Sequence, residues 1–228
     1  MSPDPSPTQA VRVWDLPTRI FHWLLVLAVI GLVVTGKVGG NALVWHMRLG
    51  LLVFVLVSFR LVWGLVGGRW SRFASFVYAP ATVLRYLRGQ ARQGEHLDVG
   101  HNPLGAGSVF AVLAVLIAQV ATGLVADDEI ATTGPLNKYV AGATGLLASA
   151  WHKGYGQWLL LALVGLHVAA IGYYRWRGTN LVTPMITGDK PLPPGVPASR
   201  DTLATRLLAL AVAAAGVAAA SWIWRQGG

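Results

Sequence analysis

Cysteine is absent from this chain of 228 residues, and that absence alone excludes disulfides, thiolate metal sites, iron–sulfur clusters and the C-x-x-C-H attachment of c-type haem. A redox cofactor here would need other ligands. Charge is scarce as well: 12% of residues are Asp, Glu, Lys or Arg, about half of what a soluble domain carries. What charge there is leans to one sign, 18 basic residues against 9 acidic ones, for a formal net of +9. Most of those basic residues fall in loops and tails between apolar runs, a topology signal that points away from a nucleic-acid partner.

Against these shortages stands an excess: 54% of the residues are hydrophobic. Five stretches approach or meet the roughly 20 apolar residues that cross a bilayer: residues 20–35 with their flanks, 44–66, 103–125, 151–174 and 203–224. Short connections leave room for one bundle and no separate soluble domain. The first run follows a Pro-rich tail and lacks a small-x-small cleavage site, so it is expected to be a retained span.

Lys and Arg set the expected orientation. Arg12, Arg19, Arg69, Arg72, Arg85, Arg88, Arg92, Arg175, Arg177, Lys190 and Arg200 fall on one side; Lys37, Lys138 and Arg225 fall on the other, beside Asp127, Asp128 and Glu129. This bias puts the N-terminus in the cytoplasm and the C-terminus outside. The connection PATVLRYLRGQARQG is expected to lie on the membrane surface, with Pro80 opening a short helix. Residues 184–198, rich in Pro and Gly, read as a linker to the last span. That span has no ionisable residue at its centre and carries no expected chemistry.

The chemistry is expected at histidine. His22 lies in the first span, His46 opens the second, and His152 and His167 lie in the fourth. Ionisable groups at such depths are expensive and usually functional. On the expected topology His22 and His167 share the cytoplasmic level, and His46 and His152 share the outer one. Read as one ideal helix, the fourth span separates its two histidines by about 22 Å along the axis and about 60° in rotation. That pattern suits two haems stacked across the membrane, each iron taking one imidazole from either side. Zinc needs clustered ligands, and a proton relay usually uses Asp or Glu, which the spans lack.

Gly50 and Gly156 each follow a histidine by one helical turn and are expected to leave room for a flat macrocycle; close helix packing would use them equally well. Haem propionates need cationic partners. Arg19 and Arg60 are the cations expected inside, Arg48 and Lys153 outside; Arg60 stands out because it lies within an apolar run. His101 and Asn102 precede Pro103 at the start of the third span, where Asn suits the cap and Pro the first turn. For His101 a propionate, a quinone head group or mere decoration of the helix start all remain open. His96 is expected in solvent.

These stretches resemble a known family. VWDLPTRIFHWLLVLAVIGLVVTG, WHMRLG, FRLVWG, GHNPLGAGSV and WHKGYGQWLLLALVGLHVAAI are similar to the four-helix bacterial cytochrome b561 and nickel–iron hydrogenase b-type cytochrome group. The resemblance covers roughly the first four-fifths of the chain and leaves the fifth span outside. It implies an all-α integral membrane four-helix haem-binding bundle over residues 1–180; the linker and additional transmembrane helix expected over 181–228 follow from the apolar pattern alone. It also implies two haem b groups with bis-histidine ligation, a bacterial inner membrane location, and electron exchange with the quinone pool. The redox partner is not chosen by it: cytochrome c, hydrogenase and other partners all remain open, as do quinone oxidoreductase activity and a homodimer. Two other readings compete, a haem-free histidine-lined transporter or proton-conducting bundle, and a bare membrane anchor in which the histidines are dispensable.

Overall fold

The computed structural model describes residues 8–90, 92, 95–130 and 132–227. Most of the Pro-rich tail, and Ala91, Gln93 and Gly94 of the basic surface connection, lie outside the described residues. The first helix, α1 (Leu16–Val38), starts where local chemistry favours a start: the Asp15 carboxylate accepts the Thr18 N–H at 2.8 Å, and Pro17 occupies the first turn. It stops at Gly39 and Gly40, both at positive φ, a conformation that suits glycine. The chain then returns as α2 (Leu43–Val66). After a basic connection that includes α3 (Pro80–Leu87), α4 (Pro103–Val125) opens on Asn102, whose side chain accepts the Gly105 N–H at 2.8 Å.

Next come α5 (Gly142–Lys153), α6 (Tyr155–Trp176), the short α7 (Val182–Thr187) and α8 (Leu203–Gln226). Among the described residues, five helical stretches are long and apolar enough to cross a membrane: α1, α2 with the turn before it, α4, α5 with α6, and α8. We call the end where α1 begins the near end, and the end where α2 begins the far end. The most enclosed helix is α2, which packs on α1, α4 and α8. Phe21, Ala28, Val53, Leu56, Trp63, Leu116 and Ala209 interlock around it. Outward-facing Leu27, Leu65, Leu147 and Leu166 are largely exposed, as expected of side chains that meet lipid rather than water.

The structure differs from the sequence reading in two places. The fourth span is two helices, broken at Gly154 (φ −98°, ψ −107°), so His152 and His167 do not share one helix and the ideal-helix rotation between them does not apply. Residues 184–198 are also no simple linker. They include β2 (Asp189–Leu192), which pairs antiparallel with β1 (Gln9–Arg12). Val196 is buried with Val11, Val13, Trp14, Trp70 and Val99 in a second core at the near end. Long-range pairing of β1 with β2 leaves little trace in local composition, whereas a Pro/Gly-rich segment looks like a loop whatever it packs on.

A candidate histidine-paired cofactor site

At the near end His22 on α1 faces His167 on α6, with ring centroids 6.5 Å apart and planes inclined by 57°. At the far end His46, in the first turn of α2, faces His152, in the last turn of α5, at 6.0 Å and 82°. His22, His46 and His152 are half-buried, and His167 is exposed on α6. Gly36, against which the His46 ring rests, follows His22 on the unbroken α1 by about 14 residues, or roughly 21 Å of axial rise. The structure therefore brings the four span histidines together as two pairs at opposite ends of the bundle.

Both far-end rings are held in the same way. His46 Nδ1 lies 3.0 Å from the Leu32 carbonyl oxygen and 3.4 Å from Thr35 Oγ1. His152 Nδ1 lies 2.9 Å from the Gln119 carbonyl oxygen and 3.4 Å from Thr122 Oγ1. A carbonyl oxygen only accepts, so Nδ1 carries the proton in each ring and Nε2 keeps its lone pair, the tautomer suited to metal binding. Behind the rings sit Gly36 and Gly123, where a Cβ would come within 3.1 Å of the His46 ring and 2.9 Å of the His152 ring. Neither glycine was among the residues expected at the site. Their signal was present in a repeated pattern, Thr35-Gly36 before Trp45-His46 and Thr122-Gly123 before Trp151-His152.

Between the far-end rings lies a cavity of about 400 Å³, lined among others by Gly50, Gln119, Lys37 and Lys153. That volume falls in the range of roughly 300–1,000 Å³ usual for cofactor pockets. A Cβ on Gly50 would meet nothing within 4 Å, whereas Gly156 is pressed against Gln119 and Trp151. Gly50 leaves space in the cavity, while Gly156 serves helix packing.

Near the other pair, Arg60 is buried within α2. Its guanidinium lies 4.6 Å from the Phe73 ring centre and 5.9 Å from that of Phe76, and its Nη1 finds no hydrogen-bond partner among the described residues. His101 packs by its ring on Trp14 (4.8 Å) and Phe76 (4.6 Å). Burial, then repulsion from Arg60, pushes its imidazole down to about 3, so it is neutral at ordinary pH. The other two arginines are engaged elsewhere. Arg19 donates to the Ile186 carbonyl oxygen at 2.6 Å and lies 4.0 Å from Asp201; Arg48 is exposed, with Trp45 at 5.0 Å and Trp224 at 6.0 Å. His96 is exposed beside Trp70. Asp127 and Asp128 accept backbone N–H groups of their own loop, from Glu129, Ile130 and Thr132.

A helical bundle with five stretches long and apolar enough to cross a membrane defines a class: a multi-pass membrane protein, here with two pairs of facing imidazoles between its helices. Within that class the chain belongs to the prokaryotic cytochrome b561 family, whose sequence pattern matches residues 13–188. It is 28% identical over 189 residues to the probable Ni/Fe-hydrogenase 1 B-type cytochrome subunit of Escherichia coli (strain K12), covering 68% of this chain and 80% of that one. The probable Ni/Fe-hydrogenase B-type cytochrome subunits of Bradyrhizobium diazoefficiens (25% over 214 residues, covering 79% and 85%) and Cupriavidus necator (27% over 214 residues, covering 79% and 86%) are similar too. No solved structure matches this chain. Membership implies a b-type haem and electron transfer in a membrane. The helix α8 lies beyond the matched residues.

Proposed function

We propose that the chain carries electrons across the membrane through two b-type haems, one ligated by His22 and His167 at the near end, the other by His46 and His152 at the far end. The observation that carries this reading is the spacing of the rings. A metal–imidazole bond is about 2 Å and a ring nitrogen lies about 1.1 Å from its ring centre, so two imidazoles on opposite sides of one metal place their centres roughly 6.3 Å apart. The two pairs stand at 6.5 Å and 6.0 Å. The far-end tautomers and the cavity between those rings fit the same group. Haem held by such a pair would supply one-electron chemistry, and ligation by both imidazoles would leave no open position for dioxygen.

The protein's part is to bind and orient. Leu32 and Gln119 carbonyls hold the far-end rings, and Lys37 and Lys153 offer positive charge beside that cavity. At the near end Arg60, with an unpartnered Nη1, and neutral His101 supply donors for propionates or a quinone head group. Arg19 and Arg48 serve instead to hold α7 and α8. Residues 1–180 supply all four ligands. The basic loops favour a cytoplasmic near end in a bacterial inner membrane. The quinone pool is one electron partner; the relatives named above favour a hydrogenase as the other.

The test is spectroscopic. Purified protein should show a reduced low-spin haem b spectrum at two haems per chain. His22→Ala or His167→Ala should remove one haem and His46→Ala or His152→Ala the other. A stable, haem-free protein, or four variants that each keep both haems, would sink the proposal.

A further inference from the structure

The fifth membrane helix extends past the family's matched region, yet its last turn reaches the far-end cavity. Trp224 lines that cavity together with His46 and His152. Next to it, Gln226 Oε1 accepts the Tyr139 hydroxyl at 2.7 Å, and a Cβ on Gly227 would lie 2.9 Å from Pro135 Cα. Pro135 belongs to the α4–α5 connection, whose Ala126, Asp128, Thr132 and Gly134 also line the cavity. The same connection closes on itself and on α4: Asp127 pairs with Thr133, Leu136 N–H donates to the Leu124 carbonyl at 2.8 Å, and Gly134 is packed against the carbonyls of Gly123 and Leu124. The end of α8 thus touches both the wall of the cavity and the loop that lines it.

The rest of α8 is built to hold that end in place. Thr202 and Thr205 form a capping box at its start, and Arg206 reaches back to Asp201 at 2.9 Å. Midway, Gly216 lets the helix approach Val55 of α2, where a Cβ would stand 3.1 Å from Val55 Cγ1. At the far end the Arg48 guanidinium lies 6.0 Å from the Trp224 ring centre and 5.0 Å from that of Trp45, contacts of cation–π type. These contacts fix the height and rotation of the last turn, and with them the position of Trp224.

We propose that α8 is the seal of the far-end site: Trp224 completes the cavity wall, and residues 224–227 brace the α4–α5 connection over its mouth. The proposal rests on the reading of this cavity as a cofactor site for its purpose, since exclusion of water is one of the levers on a haem's potential. Its geometry stands without that reading.

Because the chain has no cysteine, a single engineered thiol reports on access. Leu124→Cys, a cavity-lining position on α4, is introduced into the full-length protein in detergent or nanodiscs, and its labelling by a hydrophilic maleimide is timed. Labelling should be slow in this background and rise several-fold when Trp224→Ala is added. Tyr139→Phe, which removes only one hydroxyl and spares the fold, should give a smaller rise in the same direction. Leu210→Ala, at an exposed position on α8, should leave the rate unchanged. Unchanged labelling in both Trp224→Ala and Tyr139→Phe, or an equal rise in Leu210→Ala, would overturn the seal. Haem content measured on the same samples keeps the two proposals apart: a haem-free protein sinks the cofactor reading, while the labelling rates still decide the seal.

Discussion

His46 donates its Nδ1–H to the Leu32 carbonyl oxygen across 3.0 Å, a contact that reaches from the start of α2 back to the last turns of α1. It puts the proton on Nδ1 and leaves the lone pair on Nε2, and His152 repeats it with Gln119 at 2.9 Å. Both rings are kept in place by the absence of a side chain behind them. Gly123→Ala should therefore push the His152 ring off its carbonyl, since the new Cβ would stand 2.9 Å from it; Gly36→Ala, at 3.1 Å, should act the same way more mildly. Disturbing such an orienting contact typically weakens metal binding about 10–100-fold. Haem quantification with electron paramagnetic resonance should show the far-end haem lost or altered and the near-end haem intact.

Asp15 is fully buried, and its carboxylate accepts from Thr18 N–H, Trp63 Nε1–H, Gly68 N–H and the Ser71 hydroxyl. One side chain thus ties the start of α1 to the end of α2 and the loop beyond. Asp15→Ala would strand buried donors and should destabilise the near end by about 3 kcal/mol, with Asp15→Asn losing less because one acceptor oxygen remains. Thermal unfolding in detergent, followed by near-ultraviolet circular dichroism, gives the measurement; equal midpoints for wild type and Asp15→Ala would contradict this account.

Arg60 lies against Phe73, which in turn fills the space that a side chain on Gly64 would need. A cation beside a haem favours the form with the extra electron. Arg60→Met should therefore lower the near-end midpoint potential by on the order of 60 mV, equivalent to ~1.4 kcal/mol for one electron. Arg60→Lys keeps the charge but not the planar stacking, and should fall between. Potentiometric titration checks the order.

Asp201 joins three arginines, Arg12 at 3.1 Å, Arg206 at 2.9 Å and Arg19 at 4.0 Å. Burial opposes its ionisation, but the hydrogen bond and charge of Arg206, with the Leu16 N–H and Arg12, outweigh that and hold the carboxyl below its ordinary value of 3.8. A depressed value means that the stabilisation is complete above pH 3.8 and disappears as pH falls through the lower folded value. Hydrogen exchange across residues 189–201 should stay slow through pH 4 and quicken only in stronger acid. Asp201→Asn should show the quickened exchange at neutral pH.

The pattern of apolar runs was enough to place all five membrane-crossing stretches, because a bilayer demands length and hydrophobicity from each span on its own. Caps were legible for the same local reason: Asn102-Pro103 marks the start of α4 as read. The depth of each histidine could be counted along the chain, so the pairs His22 with His167 and His46 with His152 were expected before any coordinates. Tertiary structure decided what depends on distant contacts: the break at Gly154, the strand that turned an apparent linker into part of the near-end core, and the diversion of Arg19 to Ile186 and Arg48 to Trp224. Long flexible cations go where partners are, and a glycine's role depends on which neighbour approaches it. Gly36 and Gly123 acquired theirs only when His46 and His152 folded back against them.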